Sequence, residues 1–549
     1  MDSWKEVAAY LNRDPRTVRR WEHQEGLPVH RHLHGKKGSV YAFAHEIDAW
    51  RAGRERASGF NQLPLLPSGH LLQPIAVATS GTLRQDRFAH PLIIAVLPLR
   101  NLSTDHEQDR FADGLTEELV LELGQCCPDH LRVISSTSVA QYRQITKGAA
   151  QIGRELGADY ILEGSIRRMG HRVRLAARLI AARDQAHIWA ESYEIQLPPL
   201  FVFQQSLARE LADSLIRELN VRPSHDRRPA LAVSAEAHSA YLEARSYFLS
   251  TEEEFNKKLE NLYAAIERDP GFARSYADLA LVYFRRLHRD YPPRVALARV
   301  KENAFQARRL DPKLACAHSA VAASQLFGAW NWPETEKSSR RAIELNPSDV
   351  WAHFTRAAYH LVMGERELAL QELEQAHQLA PQSLEDDVGI AYLTYLARDY
   401  DLAIERWQQV LQLEPSLPVA RMLLGVCYAQ KGDYQRALKA CGNVTTVGEE
   451  PLTKIANACT VYAMAGQNAS AQGLLRELVS AQETRYVRYF FLAVASANLG
   501  HHHETVNWLE KAFEQHDPLL VFLKASPRFA SISSQPGFLR LARRIGLPG

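Results

Sequence analysis

The chain has 549 residues, of which 46% are hydrophobic and 23% charged, and its formal net charge is +2. These values are typical of soluble globular protein of roughly three or four domains, and they exclude a surface that is basic throughout. The six cysteines show neither disulfide nor metal spacing, and the N-terminus lacks the apolar segment of a signal peptide. The longest apolar run, Leu92 to Leu99, is too short to span a bilayer. We therefore expect a cytoplasmic protein that does not enter the membrane.

The N-terminal residues predict two short helices joined by a polar turn. The first helix covers residues 4–11, and Asp14 is placed to cap a second helix over residues 16–22 with Pro15 at its first position. Val18 and Trp21 face inward on that helix, whereas its outer side carries Arg16, Arg19 and Arg20. A second helix that presents arginines in this way is typical of a protein that enters the major groove of DNA. A solvated helix face is the alternative.

A basic hairpin is predicted after the second helix. Residues 30–38 include His30, His32, His34, Lys36 and Lys37 and are followed by a strand-like segment over residues 39–43. Residues 1–56 contain 11 lysines and arginines against 8 acidic residues, and the basic ones concentrate in the second helix and this hairpin. We interpret the histidines as surface residues near phosphate rather than as metal ligands.

This N-terminal module, residues 1–56, resembles the winged helix-turn-helix of the MerR and excisionase type. The resemblance rests on Thr17 to Glu22, on Glu25 to Pro28 and on Tyr41, which closes the wing. It implies that Arg16, Thr17, Arg19 and Arg20 approach the major groove and that Lys36 and Lys37 meet the DNA backbone or the minor groove. The wing lacks the arginine that this family usually places before the tyrosine, and no long dimerisation helix follows. Dimer geometry is therefore not carried over.

Residues 57–90 are predicted to be a flexible linker because proline, glycine and serine recur without periodicity. Residues 91–222 then show the alternating pattern of an α/β domain. The expected strands are 92–99, 131–134, 160–167, 173–180 and 187–193, and the expected helices are 111–123, 149–156 and 203–219.

The α/β domain resembles the TolB amino-terminal-like domain. The matching residues are Ile94–Leu99, Phe111–Leu119, Val133–Ser135, Ala158–Ser165 and Trp189–Tyr193. Its acidic group, Asp113, Glu117 and Glu118, is expected at the start of a helix, where carboxylates favour the helix dipole. No histidine, cysteine or phosphate-binding loop lies at a sequence spacing from these carboxylates that is typical of a catalytic site. We therefore expect no enzyme activity, catalytic residue, cofactor or metal site.

Four prolines at positions 312, 347, 381 and 415 define a repeat in the C-terminal part of the chain. Each proline follows a predicted helix, and a fixed period of about 34 residues indicates stacked helix pairs. The unit around Leu424, Gly425, Tyr428 and Ala437 resembles the tetratricopeptide repeat (TPR). We predict an all-α TPR superhelix over residues 236–516, with an insertion near residues 285–293, and a C-terminal cap over residues 517–549.

These patterns lead to one preferred function and one rival. The preferred function is a cytoplasmic DNA-binding transcriptional regulator that binds double-stranded DNA and receives a protein or peptide partner in the TPR groove. Because one small helix-turn-helix makes few base contacts, we expect a homodimer. The rival is an adaptor whose TPR array organises a complex without specific DNA binding. A scaffold or a self-association surface is the alternative for the groove itself.

Overall fold

The structure, a computed structural model, is divided into two compact units, residues 1–71 and 72–549. It describes residues 4–11, 14, 16–18, 27–31, 40–42, 47, 74–76, 90–103, 107–144, 147–169, 172–196, 200–221, 223, 234–245, 247, 252–287, 293–442, 452–484 and 486–549. Within these ranges, no helix is long and apolar enough to cross a lipid bilayer.

The first unit contains a helix, a capped second helical turn and a two-stranded hairpin. Helix α1 (Trp4–Tyr10) precedes a helical turn at residues 16–18, and strand β1 (His30–Arg31) pairs antiparallel with β2 (Val40–Tyr41). The Arg16 amide donates to Asp14 Oδ1 over 2.7 Å, which confirms Asp14 as the cap of the second helical segment. The small core of this unit consists of Val7, Ala8, Leu11, Val18, Leu27, Ala42 and Ile47.

The second unit begins with a sheet domain. Its strands are β3 (Pro74–Ala76), β4 (Leu92–Val96), β5 (Arg100–Asn101), β6 (Leu131–Val133), β7 (Tyr160–Met169), β8 (Arg172–Ala181) and β9 (His187–Gln196). Its helices are α2 (Glu107–Cys126), α3 (Ser136–Val139), α4 (Ala149–Leu156) and α5 (Leu200–Glu218), and a 3-10 turn covers Ala140–Gln144. The described strands lie in the order β3-β9-β8-β7-β4-β6, and β5 also pairs with β7.

The apolar run before Pro98 in the sequence forms strand β4, which is buried on both faces. It is parallel to both β6 and β7, so the sheet is mixed, with antiparallel pairing from β7 through β8 and β9 to β3. Leu92, Ile94 and Val96 pack in the core under α2 and α5, whereas Ala95 packs in the core under α4. A parallel strand that is covered on both faces needs apolar residues at every position.

Two expectations from the sequence need correction. Helix α2 begins at Glu107, so Asp113, Glu117 and Glu118 lie in its middle and do not cap its first turn. Residues 74–76, inside the segment predicted as linker, form a strand because their backbone pairs with residues 191–193 of β9.

Helix pairs make up the rest of the second unit. The first four are α6 (Ala235–Arg245) with α7 (Glu252–Arg268), α8 (Ala273–Arg286) with α9 (Pro293–Leu310), α10 (Ala315–Ser324) with α11 (Trp332–Leu345), and α12 (Val350–Met363) with α13 (Arg366–Leu379). The next four are α14 (Leu384–Leu396) with α15 (Tyr400–Leu413), α16 (Pro418–Gln430) with α17 (Tyr434–Cys441), α18 (Leu452–Met464) with α19 (Asn468–Ser480), and α20 (Tyr489–Ala497) with α21 (His502–Glu514). A π-helical turn, Gln325–Ala329, follows α10.

The repeated prolines stop the second helix of successive pairs. Helices α9, α11, α13 and α15 end at Leu310, Leu345, Leu379 and Leu413, each two residues before its proline. Proline disfavours helical backbone in the residue before it and has no amide to donate, so each helix ends at the same place. The largely helical C-terminal region is thus as the sequence predicts.

The C-terminal end of the array contacts its third helix pair. The indole Nε1 of Trp332 donates to the Gly546 carbonyl over 2.7 Å, and the Trp330 ring stacks on His516 at 5.0 Å between centroids. Between these late residues, two 3-10 turns, Pro518–Phe522 and Pro527–Ile532, enter the hollow of the array, and helix α22 (Pro536–Ile545) follows. The two 3-10 turns of the predicted C-terminal cap therefore pack inside the array.

Candidate functional sites

Two of the eight predicted DNA-contacting residues, Arg16 and Thr17, lie among the residues that the structure describes. In the capped helical turn, Arg16 is exposed and Thr17 partly exposed, whereas Val18 is buried against α1. This polarity presents the start of the second helical segment to solvent. The β1–β2 hairpin joins His30 to Tyr41 and Arg31 to Val40 across the predicted wing. The other six residues, Arg19, Arg20, His32, His34, Lys36 and Lys37, lie outside the described residues.

A buried ion pair joins the sheet domain to the helical array. Glu118 of α2 pairs with Arg274 of α8 over 2.8 Å, and their side chains are only 1% and 8% exposed. His238 of α6 lies 3.6 Å from the same carboxylate, and burial lowers the pKa of this imidazole. Beside them, Arg245 bridges Glu117 at 2.7 Å and Asp278 at 3.5 Å. Glu117 and Glu118 therefore pair with arginines of the array and hold the two domains together.

The array also covers the open edge of the sheet. Strand β6 is the last strand in the order, so its outward amides have no neighbouring strand. The Val133 amide donates to Ser348 Oγ over 3.0 Å, and the Ser135 amide donates to the Leu379 carbonyl over 2.7 Å. An uncovered edge would expose a template for association with other chains. Here two turns of the array supply the missing acceptors.

A cavity of about 540 Å³ with several charged residues in its lining lies along this domain junction. Its charged lining consists of Asp113, Glu117, Arg143, Arg245, Lys258, Arg274, Asp278, Arg285, Asp349, Glu385 and Asp386. All four of the arginines among them pair with carboxylates. Lys258 instead donates to the Tyr247 carbonyl over 3.0 Å, and burial together with the nearby Arg245 charge lowers its pKa to about 8. The junction is thus held by internal ion pairs.

A second cavity of about 590 Å³ lies in the hollow of the array. The first helices of several pairs contribute aromatic side chains to it, including Phe284, Trp351 and Tyr392, and the C-terminal segment contributes Phe522 and Arg528. Phe522 contacts Tyr392 at 6.4 Å between ring centroids. The chain's own C-terminal segment therefore shares the hollow in which the sequence places a partner. The apolar run that follows Asp517 was the sequence signal for this burial.

Comparison with known proteins gives a match for the sheet domain. Residues 90–220 match the family model of the HilA/YgeH-like transcriptional regulator, second domain. This is the stretch that the sequence likens to the TolB amino-terminal domain, and that likeness stays a prediction.

Two curated relatives match parts of the chain. A protein named putative adenylate cyclase 3 from Rhizobium meliloti (strain 1021) is 34% identical over 194 residues, which are 34% of this chain and 32% of that protein. Hsp70-Hsp90 organizing protein 1 from Glycine max is 26% identical over 141 residues, which are 25% of this chain and 24% of that protein. The chain thus spans about a third or less of the length of these relatives. Among solved structures, yeast Tom70 is similar with a TM-score of 0.34 and 15% identity, over 63% of this chain and 78% of that one.

Proposed function

We propose that this chain is a DNA-binding transcriptional regulator in which the helical array is the sensing or docking arm. The observation that carries the proposal is the match of residues 90–220 to the second domain of HilA/YgeH-like transcriptional regulators. In those regulators the matched domain is the second one, so another domain precedes it. In this chain, residues 1–71 form a separate compact unit before the matched residues. We assign DNA binding to that unit.

The proposed contacts follow from the helix polarity of the N-terminal unit. Arg16 and Thr17 stand on the outer side of a capped helical turn whose inner residue, Val18, is part of the core. With Arg19 and Arg20 they would read base edges in the major groove. His32, His34, Lys36 and Lys37, which follow His30 and Arg31 in the sequence, would meet phosphates.

DNA binding by the intact protein tests this assignment. Affinity for its own upstream DNA should fall steeply with salt, because bound phosphates release counterions. The double change Arg19→Ala with Arg20→Ala should abolish specific retention of that DNA, because the lost contacts are to base edges. The control is Lys301→Ala with Lys337→Ala, which removes the same charge from exposed positions of the array. Equal binding by both variants would exclude the proposed interface.

The rival proposal is an adaptor that organises proteins without binding DNA. Its support is the similarity of a quarter of the chain to a protein named for organizing Hsp70 and Hsp90. The full-length Arg19→Ala, Arg20→Ala variant separates the two. A regulator loses promoter occupancy in cells, whereas an adaptor keeps every partner and every phenotype.

Nucleotide cyclisation is a third activity that one relative's name suggests. We propose that the chain does not catalyse it, since the carboxylates of α2 that resemble an active-site cluster are engaged by Arg143, Arg245 and Arg274. Incubation of the intact protein with MgATP should yield no cyclic AMP. Formation of cyclic AMP that depends on protein concentration would overturn this point.

A further inference from the structure

The cavity in the hollow of the array is lined by parts of the chain that are distant in sequence. The C-terminal segment closes one side, with Phe522 against Phe327 at 6.0 Å and Phe529 against Phe490 at 5.6 Å between centroids. The first helices of the pairs supply the opposite side. Its volume of about 590 Å³ lies in the range of about 300 to 1,000 Å³ that suits a small molecule.

One cation of this cavity lacks a protein anion. Arg528 is 5% exposed, and its Nε and Nη2 atoms make no hydrogen bond with the described residues. Its guanidinium lies over the Tyr395 ring, 5.4 Å from the centroid. An arginine cannot discharge itself by losing a proton, so a buried one requires an anion or a full set of acceptors.

The other two arginines of the lining pair with carboxylates, whereas Arg528 does not. Arg488 donates to both carboxylate oxygens of Asp517, at 2.9 and 2.5 Å, and to the Leu287 carbonyl at 2.8 Å. Arg285 pairs with Glu385 and Asp386, the two carboxylates of the lining. No acidic side chain of the described cavity lining is therefore left for Arg528.

We propose that this cavity binds a small monocarboxylate with an apolar body, and that Arg528 receives its carboxylate. The body would lie among Phe284, Trp351, Phe354, Tyr392, Phe491 and Phe522, where it would meet aromatic faces. A guanidinium takes a carboxylate through two parallel hydrogen bonds. The two vacant donors of Arg528 have almost no accessible surface, so its side chain would turn towards the cavity when the ligand binds. A polyphosphate is a poorer fit, since a single vacant cation faces a mostly apolar wall.

Such a ligand would act as the effector of the array. It would contact both the first helices of the pairs and the C-terminal segment, so that its entry would fix the segment in the hollow. This inference does not depend on DNA binding, because ligand binding is measured with the protein alone. Its failure is thus distinguishable from that of the proposed regulator.

Calorimetric titration of the intact protein tests the proposal with defined probes. We expect 4-phenylbutanoate and decanoate to bind, with the tighter of the two showing whether the body is aryl or alkyl. The uncharged 4-phenylbutanamide and decanamide should bind at least tenfold more weakly. This comparison uses the unaltered chain and therefore does not depend on any variant folding. Equal affinity of acid and amide, or no binding of either acid at 1 mM, would overturn the proposal.

A variant pair identifies the residue. Arg528→Gln should bring the affinity for the acid down to that for the amide, whereas Arg540→Gln, at an exposed position of α22, should leave both affinities unchanged. Arg528→Gln should also raise the melting temperature of the ligand-free protein, because it removes an unpaired buried charge. Tight binding of the acid by a folded Arg528→Gln protein would refute the assigned role.

Discussion

Glu118 and Arg274 form a buried ion pair, 2.8 Å long, between residues that are 156 positions apart in the chain. The carboxylate comes from the middle of α2 in the sheet domain, and the guanidinium comes from the first turn of α8 in the array. Since both groups are withdrawn from water, each depends on the other for its solvation. The sheet domain and the array therefore behave as one structural body at this point.

Removal of the Glu118 carboxylate should strongly destabilise the protein. Glu118→Ala leaves Arg274 charged and buried, a change that typically lowers the free energy of unfolding by about 3–5 kcal/mol. Urea unfolding of the intact chain measures this loss. Glu253→Ala, which breaks the exposed pair with Lys257, should give no measurable change. Similar midpoints for the two variants would contradict the buried-pair argument.

His238 should make stability depend on pH below neutrality. Burial lowers the pKa of its imidazole from 6.5 in the folded state, although the Glu118 charge opposes this. As the pH falls through about 6.5, the unfolded chain binds the proton first, so the free energy of unfolding decreases towards the lower folded pKa. In the His238→Gln variant, the free energy of unfolding should differ less between pH 7.5 and pH 5.5 than in the unaltered protein. His503→Gln, at an exposed position, should keep it.

Ser348 should matter more than the equivalent serine two repeats later. Ser348→Ala leaves the buried Val133 amide without its acceptor, which costs about 1–3 kcal/mol of unfolding free energy. Ser416 also follows a repeat proline, but it is exposed and bonds only to the nearby Glu414. Ser416→Ala should therefore be close to neutral in the same denaturation experiment. Equal losses would show that β6 does not rely on the array.

Two helical glycines should respond oppositely to alanine. A Cβ at Gly425 would stand 3.0 Å from the Ala437 carbonyl oxygen of the partner helix, so Gly425→Ala should destabilise by about 1–2 kcal/mol after its gain in helix propensity. A Cβ at Gly473 would meet nothing within 4 Å. Gly473→Ala should stabilise by about 0.5–1 kcal/mol. Thermal melts of the two variants therefore should move in opposite directions.

Local patterns predicted much of the fold because they act through neighbouring residues. A proline two positions after a leucine stops a helix wherever it occurs, so the period of four prolines located the ends of α9, α11, α13 and α15. The helix of residues 149–156 was predicted to the residue from its apolar spacing. Gly425 was singled out as a repeat position, and its close approach to Ala437 explains why a side chain does not fit there.

Long-range partners could not be read from the same patterns. The sequence puts Glu117 and Glu118 at a helix start because nothing near them in the chain reveals Arg245 or Arg274. Residues 74–76 look like linker because their strand depends on β9, more than a hundred residues away. Arg528 lies in the predicted C-terminal cap, and the sequence does not show that it lines a cavity together with the first helices of several pairs. All eight predicted DNA contacts, those of Arg16 and Thr17 included, stay predictions.

The contact of Trp332 with Gly546 has a consequence for how the array loses its structure. Stacked repeats usually open from a free end, one unit at a time, and their outer helices exchange amide hydrogens early. Here the last helix is tied to the third pair, so the second half of the array offers no loose end from which melting can spread. Opening at the α6–α7 pair would have to break the Glu117–Arg245 pair that holds α6 to the sheet domain, so we expect global unfolding instead. Amide exchange in α21 and α22 should accordingly be as slow as in the central repeats.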